Sequence, residues 1–234
     1  MYFCKPICEN SDSNVIVMKP ISAPFIGISR HRIISDGDGV TTLVAFAGCP
    51  LHCRYCVNPQ CHLPDADSFK YFTPQSLYDE VKVDNLYFMA TNGGITFGGG
   101  EPALHHHFIS QFRAICGSSW KINLETCLNY PLSYLKSLMN VVDDYIIDCK
   151  DMNNLIYQQY TEKNNVQLLQ NLKWMVANGL GAKTKVRVPL IPDYNTESDV
   201  KSSVKALESL GFTNIETFHY IIKNQQHEKR ETTM

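Results

Sequence analysis

The chain has 234 residues, of which 44% are apolar, so it can bury one large core and we expect a single globular domain. Its formal net charge of −2, without a long block of lysines and arginines, argues against nucleic acid or an anionic membrane as a partner. Nine cysteines without an apolar export signal argue against a disulfide scaffold and predict a reducing, cytoplasmic compartment. No apolar stretch approaches the ~20 residues that a bilayer requires, so we expect no membrane span.

Residues 1–40 are predicted to form an N-terminal extension that adds edge strands or a cover to the main domain. Apolar runs at residues 15–18 and 25–28 have the composition of short strands. The segment at residues 36–39 alternates aspartate with glycine, and because glycine tolerates positive backbone φ angles, we expect a turn there. The main domain is then placed at residues 41–222.

Three cysteines follow the first strand of that domain, which is predicted at residues 41–47 from an apolar run rich in β-branched and aromatic residues. Cys49, Cys53 and Cys56 have the spacing CxxxCxxC. This spacing supplies an iron–sulfur cluster with three thiolates and leaves one iron without a protein ligand. Structural zinc sites and electron-carrying clusters normally have four protein ligands, so the incomplete set predicts an iron that is open to a substrate.

Two different roles for these cysteines stay open on spacing alone. A zinc ion would need a further ligand, for which Cys61 and His62 are close in the sequence. Alternatively, the cysteines are buried thiols of a reduced protein. The context favours the cluster, because the motif comes where a strand ends in a loop, which is the catalytic edge of a barrel of parallel strands.

Beyond the cysteines, predicted helices and strands alternate. The first helix starts at Thr73 and Pro74, because Thr is a favoured N-cap and Pro suits the first helical position. Later helices are predicted at residues 107–116, 131–139, 155–160, 166–178 and 198–210. Strands are predicted at residues 94–97, 121–126, 145–148, 183–189 and 214–220. Together with the strand at residues 41–47, these units predict an α/β fold, an open partial (β/α)6 barrel with parallel strands, and leave residues 223–234 as a C-terminal tail.

A glycine-rich motif, Gly98-Gly99-Gly100-Glu101-Pro102, ends the second strand of this series. Glycine has no Cβ, so the backbone can approach a ligand closely, and the glutamate can accept hydrogen bonds from an ammonium group. A plain tight turn has the same composition. The position of the motif one strand after CxxxCxxC favours a ligand site.

Two charged residues, Asp148 and Lys150, share one face at the end of the fourth strand, with Cys149 on the opposite face. Two charges that point into an apolar barrel are costly unless they meet a polar ligand or each other. Two interpretations follow. Either a zwitterionic amino acid contacts both side chains, or the two form a mutual ion pair beneath the site.

The combination of CxxxCxxC with Gly-Gly-Glu-Pro resembles the radical S-adenosylmethionine superfamily, and within it the activating enzymes of glycyl radical proteins, of the pyruvate formate-lyase activating enzyme type. The resemblance covers residues 37–220. It implies a 4Fe-4S cluster on Cys49, Cys53 and Cys56, whose open iron binds the amino and carboxylate groups of S-adenosyl-L-methionine. Flavodoxin or ferredoxin would supply the electron that cleaves this cofactor to methionine and a 5'-deoxyadenosyl radical.

The same resemblance implies which further residues lie at the cofactors. Gly99, Gly100 and Glu101 would hold the methionyl amino group, and Tyr55 would lie beside the adenine. Arg187 would clamp the carboxylate, since a guanidinium can form a bidentate pair. The remaining positions are Asn58, Glu125, Thr126, Asp148, Lys150, which is also a catalytic candidate, and His219, a candidate contact to the ribose.

Three functional hypotheses remain open. The first is a monomeric activating enzyme that installs a glycyl radical on a partner protein. The second is a radical enzyme that acts on a small metabolite, similar to 7-carboxy-7-deazaguanine synthase. The third is a non-catalytic iron–sulfur or zinc protein, which leaves the glycine-rich motif unexplained.

The remaining cysteines and histidines are expected to have structural roles. Cys4 and Cys8 belong either to a flexible terminus or, with Cys61, to a second cluster. Residues 105–107, three successive histidines, predict a solvated helix cap. Three further cysteines are expected to be small buried apolar residues: Cys116, Cys127 and Cys149.

Overall fold

One sheet of eight strands organises the protein. The structure, a computed structural model, describes residues 21–33, 35–63 and 69–222. The strands are β1 (Ala23–Ile33), β2 (Val40–Phe46), β3 (Lys70–Phe72), β4 (Gly94–Gly99), β5 (Lys121–Thr126), β6 (Asp144–Asp148), β7 (Thr184–Leu190) and β8 (Ile215–His219). Their order is β3-β1-β2-β4-β5-β6-β7-β8. Each neighbouring pair from β2 to β8 is parallel, which confirms the predicted α/β fold and open partial barrel.

Helices connect the parallel strands. They are α1 (Pro74–Val81), α2 (Asn85–Thr91), α3 (His106–Cys116), α4 (Leu132–Leu138), α5 (Asn154–Thr161), α6 (Val166–Ala177) and α7 (Glu197–Leu210). The predicted start of α1 is confirmed, because the Thr73 hydroxyl accepts a hydrogen bond from the Ser76 backbone N–H at 3.1 Å. Within the described ranges, no helix is long and apolar enough to cross a membrane.

The N-terminal strand β1 is longer than the predicted run at residues 25–28. It pairs antiparallel with both β2 and β3, so β3 forms the edge of the sheet on this side. The predicted turn at residues 36–39 is present, with positive φ angles at Gly37 and Gly39. The run at residues 15–18, the cysteines at positions 4 and 8, and residues 223–234 lie outside the described residues, and the division into an extension and a main domain stays a prediction.

The two faces of the sheet have different chemistry. The outer face packs against helices, and the Phe46 and Phe97 rings lie 5.6 Å and 5.4 Å from Phe108 and Phe112 of α3. The strand register groups the outer face as Phe25, Val44, Phe46, Ile95, Phe97, Leu124 and Ile147. It groups the inner face as Arg32, Leu43, Thr96, Asn123, Glu125, Asp148 and Arg187. The inner face is therefore mostly polar, whereas the outer face is apolar.

Candidate active site

A cavity of about 380 Å³ lies at the carboxyl ends of the parallel strands, on the inner face. The loop after β2 supplies three of its thiols, and β4 to β7 with the residues that follow them supply backbone groups and several charged side chains. The residues predicted from the sequence that line it are Cys49, Cys53, Cys56, Asn58, Gly99, Gly100, Glu125, Thr126, Asp148, Lys150 and Arg187. The fold thus brings together residues that are far apart in the chain, because parallel strands end at one edge.

The cysteine loop is held in place by the end of α5. The backbone N–H groups of His52 and Arg54 donate to the carbonyls of Thr161 and Tyr160 at 3.0 Å and 3.1 Å. Burial raises the pKa of the Cys53 thiol to about 11, although the Lys150 ammonium opposes that rise. Because a metal binds the thiolate, cluster assembly must displace this proton.

The glycine-rich motif packs directly against the cysteine loop. A Cβ on Gly100 would lie 2.0 Å from the Gly48 carbonyl oxygen, so no larger residue fits there. Gly99 has a φ of +98°, and its carbonyl accepts a hydrogen bond from the Asn58 amide at 3.3 Å. The glycines therefore allow two strand ends to meet at the cavity, in addition to any contact with a ligand.

Glu101 does not line the cavity. Its fully buried carboxylate accepts hydrogen bonds from the Thr126 hydroxyl at 2.8 Å, the Cys127 N–H at 2.9 Å and the Ala103 N–H at 3.0 Å. Burial raises its pKa. In this arrangement Glu101 joins the end of β4 to the end of β5, and its predicted contact with an amino group stays a prediction.

The charged inner-face residues form one network beside the thiols. Lys150 Nζ lies 3.1 Å from Asp148, and Arg187 Nε donates to the other Asp148 oxygen at 2.7 Å. Arg187 also pairs with Glu125. Burial raises the pKa of Asp148, but Lys150 and Arg187 outweigh it, so the pKa lies below its ordinary value. The mutual ion pair, one of the two interpretations, is present, and contact with a zwitterion stays a prediction.

An ion pair that sequence reasoning missed completes this network. Arg32, on the inner face of β1, pairs with Asp36 in the turn that follows, and both line the cavity. The cavity wall then has three carboxylates, on Asp36, Glu125 and Asp148, and three cationic side chains, on Arg32, Lys150 and Arg187. This balance suits a ligand that carries both charges, such as an amino acid zwitterion. The Asp-Gly pattern predicted the turn at residues 36–39, but it did not predict that Asp36 forms an ion pair at the cavity.

Aromatic side chains form one wall of the cavity, and sequence reasoning missed two of them. Tyr160 and Tyr220 line the cavity directly. Tyr55, the predicted adenine neighbour, does not line it, but its ring lies 6.2 Å and 6.4 Å from those two rings. The Tyr220 hydroxyl donates to the Tyr55 carbonyl, so the C-terminal end of the sheet is joined to the cysteine loop.

His219 lies elsewhere. It is exposed and lines a second cavity of about 630 Å³ between α7 and β8, which has no thiol among its lining residues. His219 pairs with Leu190 of β7. Leu190 is an odd number of positions from Arg187, and alternate side chains of a strand point to opposite faces. Because Arg187 is on the inner face, Leu190 and His219 are on the outer face. Its predicted contact with the ribose stays a prediction that this geometry does not favour.

Cys149 agrees with expectation, whereas Cys127 and His105 do not. Cys149 is buried. Cys127, expected to be a buried apolar residue, instead lines the cavity close to Cys49. His105 is not a solvated cap, because its ring stacks on Phe46 with centroids 4.6 Å apart. Cys127 reaches the cavity because it directly follows β5, whereas His105 ends the 3₁₀ turn Pro102–His105 and packs on the outer face of the sheet.

The residues present fit the group that the cysteine spacing implies. The three thiols of the CxxxCxxC loop match the sulfur donors of iron–sulfur clusters, and the balanced charges beside them match an amino acid.

Comparisons with known proteins support the same interpretation of the site. Residues 43–204 match the family model described as the Radical SAM superfamily. The pyruvate formate-lyase 2-activating enzyme of Escherichia coli (strain K12) is 27% identical, over 89% of this chain and 80% of that protein. The (2S)-3-sulfopropanediol dehydratase activating enzyme of Klebsiella oxytoca is 24% identical, over 75% and 74%. SuiB of Streptococcus suis, solved with S-adenosylmethionine, is similar in fold only, with a TM-score of 0.56 at 13% identity over 82% of this chain and 48% of that one.

Proposed function

The chain belongs to the Radical SAM superfamily, and on that premise we propose that it is an activating enzyme that installs a glycyl radical on a partner protein. As a radical SAM enzyme it uses a 4Fe-4S cluster and S-adenosylmethionine. One observation carries the proposal: the three thiols of the CxxxCxxC loop and a balanced set of charges line a single cavity in a sheet whose two edges do not meet. Relatives that are named as activating enzymes support the choice of substrate class.

The three thiols of the CxxxCxxC loop have the role of cluster ligands in this proposal. Cys49, Cys53 and Cys56 would hold three irons and leave the fourth for the amino and carboxylate groups of S-adenosylmethionine. When bound, the two cofactors supply the electron and the carbon-centred radical that removes a hydrogen atom from the substrate. The protein holds the reacting groups in line and excludes water.

The charge network would orient the amino acid part of the cofactor. Asp148 and Glu125 are acceptors for an ammonium group, and Arg187 and Lys150 are donors for a carboxylate. Each of these side chains is less than a quarter exposed, so their charges act in a medium of lower dielectric than water. A zwitterion would replace part of the mutual ion pairs without leaving a buried charge unpaired.

The open edges of the sheet favour a large substrate. Because β3 and β8 do not pair with each other, the cavity is not enclosed by a complete ring of strands. A backbone glycine in a loop of a partner protein could then reach the cavity between the two unpaired edges. The electron donor in this proposal is a flavodoxin or a ferredoxin.

The test combines two measurements on the anaerobically reconstituted protein. With reductant and S-adenosylmethionine, we expect 5'-deoxyadenosine, and with a glycyl radical protein added, we expect a protein-centred radical by electron paramagnetic resonance. The radical should be absent with a partner whose acceptor glycine is replaced by alanine. Cofactor cleavage that gives no protein radical with any glycyl radical protein tested would instead support the metabolite hypothesis.

A further inference from the structure

A second set of ligand atoms adjoins the cluster site. The Cys56 and Cys61 sulfurs and a ring nitrogen of His62 all lie within 4.8 Å of one another. We propose that these three residues bind one thiophilic divalent cation, such as Zn²⁺, when the cluster is absent. In a tetrahedral zinc site with bonds of about 2.0–2.3 Å, ligand atoms lie roughly 3.5–4 Å apart, so small side-chain rotations would complete the geometry.

One ring nitrogen of His62 is unsatisfied among the residues that the structure describes. This atom, Nε2, is buried and makes no hydrogen bond to any part of the described chain. Buried polar atoms are normally satisfied, and each exception calls for a specific reason. The His52 ring stacks on the His62 ring with centroids 4.5 Å apart, which holds the imidazole plane. A metal ion bound to the Cys56 and Cys61 sulfurs would also give the His62 imidazole a partner.

The backbone holds the set in place before any metal binds. Cys61 and His62 are adjacent in a 3₁₀ helix, Pro59–His62. The Cys61 N–H donates to the Asn58 carbonyl at 3.0 Å, and the Cys61 carbonyl accepts from the Gly48 N–H at 2.8 Å. Cys61 is only 3% exposed. Because the ligands do not have to be ordered on binding, the entropic cost of forming the site is small.

Two cysteines and one histidine leave one position of a tetrahedral ion for water. Binding of the cation forms two metal–sulfur bonds and releases the two thiol protons to solvent, without any change of oxidation state. The site shares Cys56 with the predicted cluster, so the single ion and the cluster exclude each other. Only this exclusion rests on the proposed function, because the single-ion site needs no cluster.

The first experiment uses cluster-free protein, treated with a chelator and titrated anaerobically with Co²⁺, whose absorption reports tetrahedral coordination and thiolate ligands. We expect one ion per chain in the unmodified protein. Cys61→Ser and His62→Gln should each weaken Co²⁺ binding at least roughly tenfold. Loss of a residue that only hydrogen-bonds to a metal ligand already weakens metal binding by about 10–100-fold, and loss of a ligand should cost no less. His62→Cys, which keeps three donors, should restore binding and so separates a lost ligand from a misfolded chain.

Two control variants separate this site from the CxxxCxxC thiols. Cys116→Ser removes a thiol outside the cavity and should bind Co²⁺ as the unmodified protein does. The double variant Cys49→Ser/Cys53→Ser should also keep the ion, since Cys56, Cys61 and His62 remain. The proposal is overturned if the double variant loses Co²⁺ while Cys61→Ser retains it, or if the unmodified protein binds no stoichiometric ion.

Cluster assembly provides an independent readout of the exclusion. Zn²⁺ loaded beforehand should slow the growth of cluster absorbance in the unmodified protein, but not in Cys61→Ser or His62→Gln. An equal effect of Zn²⁺ in all three proteins would refute the shared use of Cys56. If Co²⁺ binds as expected but no cluster forms on reconstitution, the proposed function fails and the single-ion site stands.

Discussion

The outer and inner faces of the sheet are formed by the same strands but have different roles. In β4, Phe97 points to the helices and is fully buried in an aromatic core, whereas Thr96 and Gly98 point to the inner side. In β6 and β7 the inner face carries Asp148 and Arg187, which line the cavity. Changes on the outer face should therefore alter stability, and changes on the inner face should alter cofactor binding and activity.

The largest expected effect is on catalysis, from a thiol of the cavity. Cys53→Ser should reduce production of 5'-deoxyadenosine to the level without enzyme, because the cluster would lose one of its three proposed protein ligands. Iron content and 5'-deoxyadenosine are measured after anaerobic reconstitution. Cys116→Ser, outside the cavity, serves as the control and should keep both. Equal losses in the two variants would mean that the ligand assignment is wrong.

The next largest effect is on stability, from the outer face. Phe97→Ala should lower the free energy of unfolding by about 3–5 kcal/mol, because it leaves a cavity among packed aromatic rings. Denaturant unfolding of the cluster-free protein measures this change. A loss below about 1 kcal/mol, typical of an average substitution, would show that this face is not tightly packed.

On the inner face, Arg187→Lys keeps the charge but loses the forked geometry of the guanidinium. We expect roughly tenfold weaker binding of S-adenosylmethionine, since a hydrogen bond to a charged group contributes about 1.5–3 kcal/mol. Equilibrium binding to the reconstituted protein is the measurement. Arg30→Lys is the matched control, because Arg30 pairs with Glu80 of α1 and with Asp84, and none of these three residues lines the cavity. Similar losses in both variants would contradict a role for Arg187 in binding.

A smaller effect should appear in the pH dependence of stability. The pKa of Asp148 is lowered in the folded protein, so its stabilising contribution is complete above its unfolded pKa of ~3.9 and is lost as pH falls through the folded pKa. Asp148→Asn should therefore flatten the acid side of the curve of unfolding free energy against pH. Asp38→Asn, at a carboxylate that is 88% exposed, is the control and should leave that side unchanged. An unchanged slope in Asp148→Asn would mean that the cations do not stabilise this carboxylate.

The smallest expected effect concerns β8. His219→Ala should change the affinity for S-adenosylmethionine by about twofold or less, the range of an exposed substitution away from the site. Tyr220→Phe, one residue further on, lies at the cavity and should have the larger effect. A tenfold loss in His219→Ala, measured in the same binding assay, would mean that the register assigned to β8 does not hold in solution.

Much of the fold could be predicted because local signals were strong. The β5 prediction at residues 121–126 matches the observed strand, and the Thr73 cap of α1 has the predicted geometry. Helix α2 was missed for a physical reason. Its apolar residues Leu86 and Met89 are 76% and 56% exposed, so this short helix has no periodic buried face to recognise.

The candidate site could be predicted in part. Cys53 was found from the CxxxCxxC spacing, and Arg187 was found from the resemblance to the activating enzymes. Arg32 and Tyr160 were missed, because they occur outside any motif and reach the cavity through the position of β1 and α5. Glu101 was found, but its orientation away from the cavity depends on the donors Ala103, Thr126 and Cys127.

The sequence by itself determined the alternation of strands and helices, the CxxxCxxC motif and the superfamily, because spacing and periodicity are local properties of the chain. Only the tertiary structure decided which charges meet in the cavity, that His219 faces outward and that Cys61 and His62 adjoin Cys56. Those facts depend on the register between strands and on the packing of loops, and a shift of one residue in the register would exchange the two faces.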